Sequence, residues 1–167
     1  MNYIAATWEV LYNDSSLQNL PYKIESKRYK KTIISHASSW QGNYEYEIGN
    51  LRDNLRPGGR IIQEGPISTS NGVSVAGVRW MSREKWMPIK RTASLPVAPE
   101  IRVEILSPSS SREEMLEKMS LHYAEAAQEV WLCDEEGNMQ FFSKTSVGQL
   151  LPASVLCPEF PERIDTD

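Results

Sequence analysis

The segment Ala98-Pro99-Glu100-Ile101-Arg102-Val103-Glu104-Ile105-Leu106-Ser107-Pro108-Ser109-Ser110-Ser111 holds the reading of this chain. A strand's period of two sends Ile101, Val103 and Ile105 to one face and Glu100, Arg102 and Glu104 to the other. On an ordinary half-exposed strand the charged face would meet water and pair with neighbouring strands. The residues after the strand sharpen the pattern. The chain runs through a Ser-Pro turn into a helix, for which Ser110 with Glu113, or Ser111 with Glu114, supplies a capping box. Met115, Met119, Tyr123 and Ala126 form that helix's apolar stripe. Lys118 rides on the same helix, so a carboxylate and a lysine stand near one strand-to-helix edge.

Downstream, EVWLCD and MQFFSK read as two strands around the turn EEGN, a hairpin signal. Upstream, Trp40, Tyr44, Ile48, Leu51 and Leu55 recur at helical spacing, and the helix must stop near Arg56 because Pro57-Gly58-Gly59 comes next. YKIESKRYKKTIIS predicts a hairpin or two paired strands. RIIQEG and VSVAGVRW read as strands separated by the turn-rich PISTSNG, and REKWMPIKRTASLPVAP as a basic connector. TWEVL suggests a short first helix capped by Thr7. The expectation is one α/β domain over residues 1–167, with an N-terminal helix and loop over 1–20 and an irregular tail over 152–167.

The 167 residues are 40% hydrophobic and 24% charged, which excludes a membrane-embedded or a disordered chain on composition. MNYIAATWEVLYND lacks a basic flank followed by an apolar run, so neither secretion nor membrane insertion is expected. Two cysteines, Cys133 and Cys157, and two histidines, His36 and His122, make no zinc pattern. A cytoplasmic location is expected, and any metal would be held by oxygen. Charge divides by halves: residues 1–99 carry 13 Lys/Arg against 8 Asp/Glu, residues 100–167 carry 5 against 14, so +5 is followed by −9. The excess peaks at Lys23, Lys27, Arg28, Lys30 and Lys31, a patch suited either to phosphates or to a solvated hairpin.

The stretch APEIRVEILSPSSSREEMLEKMSLHYAEAAQEVWLCDEEGNMQFF strongly resembles the Uma-type restriction endonuclease family of the PD-(D/E)XK nuclease superfamily. TWEVL, YKIES, HASSWQGNYEYEIGNL and VSVAGVRWMSREKW match the family's upstream order more loosely. The resemblance implies a restriction-endonuclease-like core, a mixed β-sheet flanked by helices, and Mg²⁺-dependent hydrolysis of DNA. It implies DNA as the partner, no membrane, and leaves self-association open. Phosphodiester hydrolysis of this kind needs hard oxygen ligands around Mg²⁺ and a cation against the developing charge. Carried over, Glu104 matches the family glutamate, Ile105 would offer a backbone carbonyl, and Lys118 matches the lysine. The aspartate is missing: where the family reads Pro-Asp, this chain reads Ala76-Gly77, and the order of elements with the resemblance puts Gly77 close to Glu104 on the neighbouring strand.

No aspartate occurs between Asp53 and Asp134, so no shift of alignment restores it. Glu64 and Glu100 are the nearby carboxylates that could substitute. One remaining carboxylate should weaken Mg²⁺ severely, and Gly77→Asp is expected to strengthen binding. Plainer readings stand beside these. Glu104 alone would be an exposed strand glutamate, Lys118 has Glu114 at i−4, the serine run caps a helix, and His122 is a surface or satisfied core histidine. Arg79, Arg83, Lys85, Lys90 and Arg91 could track a phosphate backbone or be a solvated loop. Three classes remain: a Mg²⁺ endonuclease, a catalytically silent nuclease fold that binds nucleic acid or protein, and a purely structural protein.

Overall fold

The computed structural model describes residues 10, 13–14, 22–27, 32–36, 39–55, 57–63, 66–69, 72–75, 77–92, 94–108 and 110–166. The short first helix expected at TWEVL lies almost entirely outside them. In order come β1 (Tyr22–Lys27), β2 (Thr32–His36), α1 (Ser39–Leu55), β3 (Gly59–Gln63), β4 (Pro66–Thr69), β5 (Gly72–Val75) and β6 (Val78–Ser82). After these come α2 (Arg83–Ile89), β7 (Ile101–Ile105), α3 (Arg112–Ala124), β8 (Glu129–Cys133) and β9 (Met139–Ser143).

The described strands form two sheets, one ordered β2-β1-β5-β4 and one of five strands ordered β3-β6-β7-β8-β9. The β1/β2 hairpin, the helix ending before Pro57 and the β8/β9 hairpin are where the sequence puts them. Three expectations are corrected. VSVAGVRW is not one strand: β5 pairs with β4 in the first sheet and β6 pairs with β3 and β7 in the second, parted at Gly77, whose φ of 27° breaks the extended run. PIST, read as turn, is β4, because its β-branched residues gain a ladder with β5. The basic connector also holds a helix, α2, started by Ser82, whose side chain accepts from the Lys85 amide at 3.4 Å.

β7 lies at the centre of the five-stranded sheet, antiparallel to β6 and parallel to β8. A central strand loses both faces to packing, and both faces of β7 are buried. On one side α1 brings Tyr44 and Ile48 onto Val78, Ile101, Val103, Trp131 and Phe141. The C-terminal segment adds Cys157, Phe160 and Ile164 to this core, so the patternless tail is irregular in backbone yet packed. On the other side α3 sets Met115, Met119 and Tyr123 against Val130 and Leu132, while α2 covers Met81 and Ile62 with Trp86 and Ile89. The polar side chains of β7 therefore face α3 across a dry layer, and water does not solvate them as a half-exposed strand would allow.

Candidate functional site

The strand-to-helix edge forms as its sequence dictates. Ser111 accepts from the Glu114 amide at 3.2 Å and Glu114 returns the bond to the Ser111 amide at 3.3 Å, the second of the two anticipated capping boxes. This fixes the start of α3 and lays Met115, Met119, His122 and Tyr123 inward. Glu114 is thereby used as a cap residue. The helix ends on Ala126, held at φ 77°, the left-handed position more often given to glycine.

Glu104 is buried, at 7% exposure, and its partner is two residues back on the same face of β7. Arg102 donates from Nε to Glu104 Oε1 at 2.7 Å, and its Nη2 lies 2.6 Å from the same oxygen. The third side of the guanidinium meets α3: Nη1 is 3.0 Å from His122 Nδ1. A guanidinium has only donors, so Nδ1 must accept and the ring proton sits on Nε2, 3.9 Å from Glu104 Oε1. Burial alone would push the Glu104 carboxyl up, but Arg102 and then Lys118 hold it down to about 2. His122 is kept neutral by burial and by the Arg102 charge, its pKa lowered to about 2.

Lys118 is half-buried one turn before His122 on α3, and its charge helps to hold the Glu104 carboxyl down. Glu104 and Lys118 thus lie within electrostatic reach of each other, and Ile105 follows Glu104 at the end of β7. Gly77 also falls where the sequence puts it. Val78 stands opposite Val103 in the antiparallel ladder, so Gly77 is level with Glu104. An ideal Cβ there would overlap the Val103 carbonyl oxygen and come within 3.7 Å of the Glu104 Cα. The expectation that an aspartate could simply be restored at 77 is corrected: this backbone has no room for one.

Glu100 is not gathered into the site. Its Oε2 accepts from the Ser82 amide at 3.1 Å, tying β7 to the start of α2, and four residues of strand place it about 13 Å along β7 from Glu104. Glu64 lies outside the described residues. Among the described residues no group of three or more His, Cys, Asp or Glu is placed to hold a metal. Mg²⁺ demands near-octahedral oxygen ligands and leans on one or two carboxylates. Here the lone carboxylate has Oε1 already committed to a buried guanidinium, and the described residues do not fit the ion. The sequence missed Arg102 and His122 as members of this cluster. Their signals were present in the shared face of Arg102 with Glu104, and in His122 standing four residues after Lys118 on one helix face.

The basic connector is divided. Arg83, Lys90 and Arg91 are exposed, whereas Lys85 turns inward and donates to the carbonyls of Ala98 at 3.3 Å and Ala126 at 3.4 Å. Arg79 is fully buried beside Arg102 in the ladder. Of the N-terminal patch, Lys23 and Lys27 fall on β1, while Arg28, Lys30 and Lys31 lie outside the described residues.

A mixed five-stranded sheet with helices on both faces is the restriction-endonuclease-like fold. The chain belongs to the Uma2 family, described as "Putative restriction endonuclease", whose model matches residues 39–164. Its fold is similar to the crystal structure of a "putative nuclease" from Anabaena variabilis, with a TM-score of 0.63 and 16% identity over 82% of this chain and 84% of that one. No curated protein matches the chain. No helix among the described residues is long and apolar enough to cross a membrane.

Proposed function

We propose that this chain is a non-hydrolytic member of its nuclease family, one that engages nucleic acid without cutting it. The observation that carries the reading is the Arg102 guanidinium on Glu104 Oε1 at 2.7 Å, where hydrolysis would need Mg²⁺. Gly77 supports it by offering no carboxylate and no space for one. Binding rests on family membership and on the basic half of the chain, whose exposed Arg83, Lys90 and Arg91 suit a phosphate backbone. In this reading residues 1–167 act as one nuclease-like domain. The two buried free cysteines accord with a reducing, cytoplasmic setting.

The competing reading is an active Mg²⁺-dependent DNA endonuclease using Glu104, the Ile105 carbonyl and Lys118, and the nearness of Lys118 to Glu104 favours it. Plasmid nicking with Mg²⁺ or Mn²⁺, alongside duplex-DNA binding across a salt series, separates the two. The expected result is no nicking, with DNA binding that weakens steeply as salt rises. Nicking that disappears in Glu104→Ala would overturn the proposal and turn attention to Glu64. Absence of any salt-dependent binding would leave a purely structural protein.

A further inference from the structure

Arg102 is ligated in the way a metal ion is. Its guanidinium receives one carboxylate oxygen, Glu104 Oε1, and one imidazole nitrogen, His122 Nδ1 at 3.0 Å, the donor pair that a divalent first-row cation accepts. It has no exposed surface and His122 is 1% exposed, while Glu104 keeps 7%, so the guanidinium sits inside the protein with the carboxylate at its edge. Breaking the guanidinium's contacts from one side would leave Glu104 without its hydrogen-bonded cation inside the protein, which is costly.

We infer that Arg102 is a built-in replacement for the divalent cation, seated between Glu104 and His122, and that removing its guanidinium opens a binding site for Mn²⁺ or a similar ion. The site would keep two protein ligands, Glu104 Oε1 and His122 Nδ1, with water completing the shell. His122 makes the vacated site softer than an all-oxygen Mg²⁺ site, so Mn²⁺ should be preferred over Mg²⁺. The inference rests on the non-hydrolytic reading of this site, but it is tested without DNA, so the two can fail separately.

The experiment is thermal unfolding of the full chain with and without millimolar MnCl₂ or MgCl₂. The wild-type midpoint should not move with either salt. Arg102→Ala should unfold at lower temperature and recover by about 5 °C or more once Mn²⁺ is in large excess over its Kd. The double variant Arg102→Ala/Glu104→Ala should show no recovery, which separates a Glu104-centred site from general salt effects. If Arg102→Ala does not fold, Arg102→Gln keeps an amide donor for Glu104 and carries the same readout. A wild-type midpoint that rises with metal and ceases to do so in Glu104→Ala would overturn the inference, because a metal site would then coexist with Arg102. An Arg102 variant indifferent to Mn²⁺ would overturn it as well.

Discussion

Arg102 and Glu104, two residues apart on the central strand β7, satisfy each other inside the protein through contacts of 2.7 and 2.6 Å on one carboxylate oxygen. Both side chains are buried, and neither charge has bulk water to return to. Breaking such a pair from one side leaves the other charge uncompensated, at a cost of about 3–5 kcal/mol. Glu104→Ala is therefore expected to lower the urea-derived unfolding free energy by an amount in that range. A carboxylate kept only to bind metal at an open site would be removed at little cost, so a loss below about 1 kcal/mol in the same measurement would contradict the buried-pair assignment.

Gly77 gives the second prediction. Its φ of 27° is a conformation that side-chain-bearing residues rarely adopt, and a Cβ would meet the Val103 carbonyl oxygen. Gly77→Ala and Gly77→Asp should each destabilise by at least about 1–2 kcal/mol from the left-handed backbone alone, with steric displacement added. Calorimetric titration of Gly77→Asp with Mg²⁺ should show no gain over wild type. A stable Gly77→Asp protein with new Mg²⁺ heat would mean that the β6 backbone can rearrange to aim the carboxylate at Glu104.

The legible parts of this sequence are those governed by short-range rules. Period-two alternation gave β7, the second of two candidate capping boxes marked the start of α3, and Pro57-Gly58-Gly59 ended α1 within a residue. Level placement of Gly77 with Glu104 came from the family resemblance and holds. What escaped were matters of three-dimensional cover. Nothing in IRVEIL says that α3 will lie over its charged face, so Arg102 and Glu104 read as solvent-facing when they are interior. The break at Gly77 was equally hidden, because VSV and VRW read as one strand until their partners place them in separate sheets.

Glu129 supports a third prediction, on how the C-terminal segment is fastened. Its buried carboxylate accepts from Trp131 Nε1 at 2.7 Å and Ser154 Oγ at 2.6 Å on one oxygen, and from the Leu156 amide at 2.8 Å on the other. Ser154 Oγ in turn accepts from the Cys157 amide at 2.9 Å. Hydrogen bonds to a charged acceptor contribute about 1.5–3 kcal/mol each, though not additively. Glu129→Ala should destabilise by several kcal/mol on that basis and, more specifically, open residues 152–164 to limited proteolysis before the rest of the chain. Cleavage first elsewhere would show that Phe160 and Ile164 hold the segment without the carboxylate.

The last prediction concerns acid. His122 accepts from Arg102 through Nδ1, so protonating it would place a cation against a guanidinium, and its folded pKa is lowered to about 2 from an ordinary 6.5. A lowered histidine pKa means that the unfolded chain binds the proton first as pH falls. The stabilisation is therefore complete above pH 6.5 and declines below it, by up to about 1.4 kcal/mol per pH unit for this one group. Glu104 acts in a different window. Its folded pKa is depressed from 4.5 to about 2, so its contribution is intact above 4.5 and is lost only between there and 2. Denaturation between pH 7 and 5 should thus be dominated by His122 as far as this cluster is concerned. His122→Asn, which can place a neutral acceptor near Nδ1, should flatten the stability profile over that interval while leaving the fall below pH 4.5 in place. Equal slopes for wild type and His122→Asn from pH 6.5 to 5 would show that His122 can take up a proton in the folded protein, contrary to its role as the acceptor for Arg102.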